Sequence, residues 1–536
     1  MEGRFEGRRR VALISLAILP LAILAFRSTT QHWVPLGDNA IMGLRIRDVF
    51  TAETPLVGAY SKFGWSHPGP LLFYLHAVPY RLLGSTSDSL LVGSVLVNAI
   101  SIVVLTRTLL RTAGMVFTIA CLACVGFTMW TLGTSWLWFT WNPNLALLAF
   151  AAFLALAWSV SIGRVHDLPW LAGFGTLVVQ SHVGYALVVG AVAVTAGASC
   201  WHVHRARTAP RSPVRRPLLI TLVVLGVLWF PPALEAIQHE GGNLRALANF
   251  WTAGHQGAGW HTAVRIMGLA LSERGPWLGF AEPVKFTDVL DPRGTPIPWA
   301  FLALVTATIV AARRRDVLAR NLCVICLVAI AAGVVAMSRI VGDIFIYMVF
   351  WTRVIAAFSW IAAAWALLRA LPIDVRHRAR RAAPALVAGV GVAVLALLSV
   401  SALNTGVGPW AEPGDRQGAE IERIMPDLVK TLGSARHVQL SSDPSSFSAG
   451  TFHAALDLEL AQRGYRIGQD TDDAVRLEVV AGSEAILDHR AEGSEPLVIS
   501  RPSSFDQAPR RRGEDVFAYL ARVSSAPIAL YPAGER

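Results

Sequence analysis

Apolar runs of about 17–25 residues recur through the first 400 residues of this chain, and a run of that length is what a helix needs to cross a bilayer core. Short arginine-rich loops separate them. Of 536 residues, 54% are hydrophobic and only 15% charged, against about 25% charged in a soluble domain. A soluble fold has too little interior to hide so many long apolar segments. The pattern therefore imposes one fold class, an all-α polytopic membrane protein.

The net charge of +11 could be taken for a nucleic-acid footprint, but its placement says otherwise. Only Lys62, Lys285 and Lys430 are lysines, and the arginines gather in the short turns between apolar runs. Cytoplasmic loops carry that excess, so the charge reports topology and nucleic acid is not an expected partner. Arginines at 8–10, 107–111, 164, 205–216, 313–315 and 376–381 mark six cytoplasmic turns or ends. They place about 11 spanning helices, with the N-terminus inside, the C-terminus outside and an uncleaved first helix at residues 11–26. One of the spans, 168–179, is short. Residues 71–83 are too short to span and read as an interfacial or re-entrant helix, with Tyr74, Tyr80 and Arg81 at headgroup level.

This topology leaves two long outer segments, 27–88 and 235–297. The second holds two amphipathic stretches, 243–251 and 261–271, suited to a membrane surface. After residue 404 Gly, Asp, Glu, Ser and Pro rise and no run could span. Residues 404–536 read as a small α/β extracytoplasmic domain, with strands at 437–442, 465–467 and 475–480 and a helix at 449–463.

Five cysteines include Cys121-x-x-Cys124 and Cys323-x-x-Cys326, a spacing that serves zinc elsewhere. Both pairs fall inside apolar helices, at expected depths differing by roughly 10 Å, too far for one tetrahedral ion. They read as small core residues.

The chemistry concentrates in Pro35–Pro70, which carries Asp38, Arg45, Arg47, Asp48, Glu53, Lys62 and His67. Asp38 precedes a helical pattern over 40–50. It suits an N-cap worth about 1 kcal/mol, and equally a carboxylate held at the membrane surface as general base or metal ligand. Arg45 and Arg47, two residues apart on a helix, point to different faces. His182 in Gln180-Ser181-His182, Asn142 and Asn144 beside Trp141, and Arg353 lie at other outer helix ends. With 345–368 as one helix, Arg353 falls a third of the way in, where an arginine costs some 2.5–3.5 kcal/mol to insert and needs a partner or a function.

An arginine-flanked first helix, an outer loop with the early acidic residue of Gly37-Asp38-Asn39-Ala40, membrane-surface helices, ten or more spans and a C-terminal outer domain together resemble the GT-C superfamily of integral membrane glycosyltransferases. The resemblance implies a transmembrane domain over 1–403 and an extracytoplasmic domain over 404–536. It also implies a bacterial plasma-membrane enzyme that takes a sugar from a polyprenyl-phosphate donor to an envelope glycan, lipid or protein acceptor on the outer face. By that likeness Asp38 takes the catalytic carboxylate's place, and Arg45, Arg47, Lys62, His67, His182 and Arg353 are candidate phosphate or substrate contacts. Many members carry a paired acidic motif where this chain has Asp38-Asn39, so the use of a divalent cation stays open. The alternative is a transporter or flippase for a lipid-linked saccharide. It predicts ionisable groups near the midplane and two similar halves, whereas the polar groups here gather at outer helix ends and no repeat is visible.

Overall fold

The structure, a computed structural model, describes residues 2–30, 33–61, 63–206, 214–273, 275, 296–405, 413–442, 447–467, 475–479, 497–500 and 529–532. Nine helices among these residues are long and apolar enough to cross a membrane. They fall within α1 (Glu2–Ser28), α4 (Ser87–Ala113), α5 (Met115–Leu132), α6 (Asn142–Ser161), α8 (Ala186–Ala206), α9 (Arg215–Gln238), α13 (Val317–Ser338), α14 (Trp351–Ala370) and α15 (Ile373–Asn404).

Two shorter helices complete the bundle, α7 (Leu168–Ser181) and α12 (Trp299–Arg313). α7 runs the length of α6 in the opposite direction. At one end Ser159 and Arg111 hold Asp167 just before α7 begins; at the other, Asn142 Nδ2 donates to Ser181 O at 2.7 Å. α12 packs on α14, and its far end leads to Asp316, which Arg369 of α14 holds at 2.7 Å. Among the described residues nine helices are thus long and apolar enough to span, with α7 and α12 as shorter helices packed beside them, against the 11 spans expected.

α6 is the axis. All 20 of its residues are buried, with α4, α7, α8, α13 and α14 around it. Pro143 starts it, since a proline in the first helical turn forfeits no intrahelical bond. Its alanines, at 146, 149, 151, 152, 155 and 157, let the neighbouring backbones come close, which is how helices associate when lipid is as apolar as leucine. The four clustered cysteines are free thiols in α5 and α13, consistent with their reading as core residues.

One end of the bundle carries the outer segments, and hydrogen bonds show which ends are shared. Arg27, closing α1, donates to Ala402 O and Thr405 O at 2.7 and 2.5 Å, so the ends of α1 and α15 lie together. Its guanidinium, 5.6 Å from the Trp138 ring centroid, caps carbonyls that a helix C-terminus leaves unpaired. On this end lie α2 (Asp38–Asp48), α3 (Leu71–Leu82), α10 (Gly242–Thr252) and α11 (Gly259–Ala270). The last two fall where amphipathic helices were expected.

One expectation is corrected here in part. Tyr80 of α3 is buried and not among lipid headgroups, while Leu75, Val78, Arg81 and Leu82 are exposed. Leu72, Phe73, His76, Ala77, Pro79 and Tyr80 are buried against the protein, and His76 bridges Leu72 O and Ser94 Oγ. Tyr74 donates to Pro55 O, and Arg81 to Arg47 O and Val49 O, so both side chains spend their donors on the α2 segment.

The C-terminal stretch provides α16 (Pro413–Leu432), β1 (His437–Ser442), α17 (Phe447–Gln462), β2 (Arg466–Ile467) and β3 (Val475–Val479). β1 lies between β2 and β3 in a parallel sheet, Val438 facing Ile467 on one side and Val475 on the other. Parallel neighbours need a crossover, and α17 supplies it between β1 and β2. β4 (Leu497–Ser500) pairs antiparallel with β5 (Ala529–Pro532). The expected small α/β unit is present, with β1 at the expected residues.

Candidate active site

Asp38 is the first residue of α2, not its cap. Gly37 takes the N-cap position with φ 51°, in the left-handed region where glycine carries no Cβ penalty, and no side chain caps the helix. The N-cap reading of Asp38 is thereby corrected: its carboxylate turns to the bundle. Tyr60 Oη donates to Oδ1 at 2.7 Å, and Trp141 Nε1 donates to Oδ2 at 2.9 Å. Next to it, Asn39 Oδ1 accepts from Thr140 Oγ1 at 2.9 Å. Two consecutive α2 residues are thus tied to the Thr140-Trp141 segment that opens α6. Asp38 remains exposed on its free side, so each oxygen keeps a lone pair open.

Tyr60 is placed by a small hairpin. Gly58 N donates to His67 O and His67 N to Ala59 O at 2.9 and 2.7 Å, while Tyr60 pairs with Ser66. Burial and the adjacent Asp38 carboxylate both push the Tyr60 hydroxyl above the ordinary phenol range, so it stays protonated and remains a donor. The second outer segment grips this hairpin: Ser66 N donates to Asn243 Oδ1 at 2.6 Å and Asn243 Nδ2 to Ser66 O at 2.8 Å. Glu235 in turn accepts from Asn243 N, and Phe250 of α10 packs on Phe63 and Trp65.

Gln180, at the end of α7, locks the turn that follows. Its Oε1 accepts from Leu71 N at 3.2 Å and its Nε2 donates to Leu228 O at 2.8 Å. His67, buried at the end of the hairpin, packs against His182 with ring centroids 4.9 Å apart and the rings tilted by 36°. Each ring's Nδ1 accepts a backbone N–H, from Val183 at 3.1 Å and Gly184 at 3.3 Å respectively. In a neutral imidazole that puts the remaining proton on Nε2, so both rings present N–H donors and not metal-binding lone pairs.

Burial holds both rings neutral, with His182 adding to the effect on His67: His67 lies well below the ordinary 6.5 and His182 is lowered to about 4. The unfolded chain would protonate them near 6.5, so below that pH it binds more protons and stability falls as pH drops. Each ring then costs about 1.4 kcal/mol per pH unit until its folded value is reached. The thermal midpoint of the purified protein is expected to drop between pH 7 and 5.5, and His67→Gln to remove roughly a third of the drop, since buried His76, lowered to about 4, adds the same penalty as His67 and His182. A midpoint as pH-dependent in His67→Gln as in the parent would contradict this.

Arg353 lies in the first turn of α14, because a 3-10 turn, Ile346–Val349, precedes a helix that starts only at Trp351. In the 25-residue apolar span Ile346–Ala370, which joins that turn to α14, it stands a third of the way along, as expected, and at 3% exposure it is not reaching for lipid headgroups. Its guanidinium stands 5.6 Å from the Phe350 centroid. A line of ring contacts runs from there to the carboxylate: Phe350 on Trp136 at 5.0 Å, Trp136 on Trp141 at 6.0 Å, and Trp141 on Asp38. A second line joins Trp351 through Tyr185 to His182. The start of α14 thus links the Asp38 and His182 sides.

The other candidates stand apart. Arg45 and Arg47 are in the last turn of α2, seven and nine residues along the helix from Asp38; Arg45 is exposed and Arg47 lies 3.7 Å from Asp48. At 1.5 Å per residue that is more than 10 Å along the axis, so neither joins the carboxylate. Lys62 lies outside the described residues. Tyr60, Trp141 and Asn243 are not among the candidates the sequence offers; the signal they share is an aromatic or amide polar edge close to the ends of apolar runs. Among the described residues no three His, Cys, Asp or Glu side chains gather to hold a metal ion, and both Asp38 oxygens already take donors.

The order of the helices, with two long segments gathered at one end of the bundle, is shared with a protein of known structure. The crystal structure of ArnT from Cupriavidus metallidurans bound to undecaprenyl phosphate matches the present one with a TM-score of 0.52, covering 86% of this chain and 86% of that one at 14% sequence identity. At that identity the likeness establishes the fold. No protein-family model matches the sequence, and no curated protein matches it significantly.

Proposed function

We propose that this chain is a membrane glycosyltransferase that moves a sugar from a polyprenyl-phosphate-linked donor to an acceptor at the Asp38 end of the bundle. One observation carries the reading: Asp38 is held by two donors, open on its third side, in a GT-C fold. The acceptor O–H attacks the anomeric carbon, its proton passes to Asp38, and the anomeric C–O bond breaks with its electron pair leaving on the lipid phosphate. The Tyr60 and Trp141 bonds fix the carboxylate's direction before substrate arrives, which is what proximity catalysis requires. Arg353 and the Nε2–H groups of His67 and His182 are the groups that meet the charge growing on the phosphate. No step is drawn through a metal.

The arginine-rich turns assign the Asp38 end to the outer face of the plasma membrane, with residues 404–536 as an extracytoplasmic domain. Nucleotide sugars are absent there, and a lipid-linked donor is the natural one; ArnT, whose fold this chain shares, is bound to undecaprenyl phosphate in its crystal structure. The test is transfer by the purified chain in liposomes. Polyprenyl-phosphate sugars with an envelope-lipid acceptor should release free polyprenyl phosphate, and nucleotide sugars should give none. Turnover with nucleotide sugars alone would overturn the reading.

A further inference from the structure

The C-terminal stretch rests on the helix that begins with Asp38. α17 packs along α2, with Leu458 fully buried at the contact. A Cβ on Gly43 would stand 2.7 Å from Leu458 Cδ2 and 3.0 Å from Leu90 Cδ1, so a methyl there requires the ends of the Leu458 and Leu90 side chains to shift. A second anchor lies at the start of α4, where Ser87 Oγ donates to Gln462 Oε1 at 3.2 Å and lies 3.4 Å from Glu459 Oε1. A third lies on the approach to α2: a Cβ on Gly418 of α16 would stand 3.3 Å from Val34 O.

Elsewhere α2 is held by its bonds to the Thr140-Trp141 segment and by α3. It has 11 residues and no side-chain cap at its N-terminus, and Asp38 gives its carboxylate to Tyr60 and Trp141. A helix of that length is marginal unless neighbours pack on it. Arg81 ties its C-terminal end, and the C-terminal stretch covers its middle and its approach.

We infer that α16 and α17 form a positioning clamp on the Asp38 helix, with Leu458 against Gly43 as the contact that sets its place. The inference goes beyond the transfer reading and rests on it only for an activity measurement. A shift of about 1 Å in a placed group is enough to lower a rate a hundredfold. Leu458 is thus a positioning residue that acts through α2.

The test is a reciprocal pair in the full-length protein, read first by hydrogen exchange. Gly43→Ala should raise exchange of the amides of residues 41–47 by about tenfold, leaving α6 and α13 unchanged, because the opening is local. Leu458→Val in the same chain should restore protection by making room for the added methyl. Leu458→Ala, which opens space instead of closing it, should loosen the same amides without threatening the fold. Unchanged α2 exchange in both single variants, an equal rise across α6 and α13, or failure of Leu458→Val to restore protection would each overturn the clamp. In liposomes Gly43→Ala should lower turnover about tenfold at unchanged donor KM, with Leu458→Val returning it. If the parent transfers nothing, the transfer reading fails and the exchange measurement still decides the clamp.

Discussion

Asp38→Asn is expected to lower turnover about a thousandfold, the middle of the range for a positioned general base, with donor KM nearly unchanged. The substitution keeps the side chain's size and removes the group that accepts the acceptor's proton. It also places an amide NH2 against one of two donors, since Tyr60 and Trp141 each need an acceptor. One of those hydrogen bonds is lost, at about 0.5–1.5 kcal/mol of stability. A small fall in thermal midpoint beside a very large fall in turnover is the signature of a catalytic group. Wild-type turnover in Asp38→Asn would remove the proposed role.

The second large effect is steric. A Cβ on Gly58 would lie 2.7 Å from Gly69 O, 3.1 Å from Gln180 O and 3.1 Å from His67 Cβ. The first two contacts are backbone, so no side-chain rotation relieves them. Gly58→Ala must push the hairpin off the 68–70 turn, and overpacking of this kind costs typically about 1–3 kcal/mol. The displacement carries Tyr60 away from Asp38 and His67 away from Val183. Turnover should fall at least thirtyfold, beyond what any loss of folded protein explains, and Gly64→Ala, where a Cβ meets nothing, provides the comparison for backbone strain alone. Equal turnover in Gly58→Ala and the parent would show that the hairpin does not place the site.

The bundle was legible because each span is an apolar run closed by arginine, and even the short runs at 168–179 and 299–312 kept that form. Asp38 stood out as the first acidic residue of an outer segment. What the sequence concealed was partnership. Tyr60 and Trp141 are 22 and 103 residues from Asp38, and nothing in their local pattern separates a carboxylate partner from an interface aromatic. Arg353 was legible too: residues 346–349 coil as a 3-10 turn ahead of α14, and the two together make one apolar span with Arg353 a third of the way along it. For α3, a 12-residue apolar helix with aromatic and basic edges matches an interfacial pattern, while its packing depends on α2 and α4. Sequence periodicity carries no information about which neighbour fills that face.

A helix buried along its whole length also fixes an order of events. During membrane insertion α6 emerges before four of the helices that will surround it, α7, α8, α13 and α14, and until they arrive its alanine-rich sides face lipid. Trp141 at its head cannot meet Tyr347 until the segment before α14 is in place, more than 200 residues later in synthesis. A nascent chain therefore carries Asp38 for most of its assembly without a finished pocket around it, and competence for chemistry arrives only as the last spans close on the first.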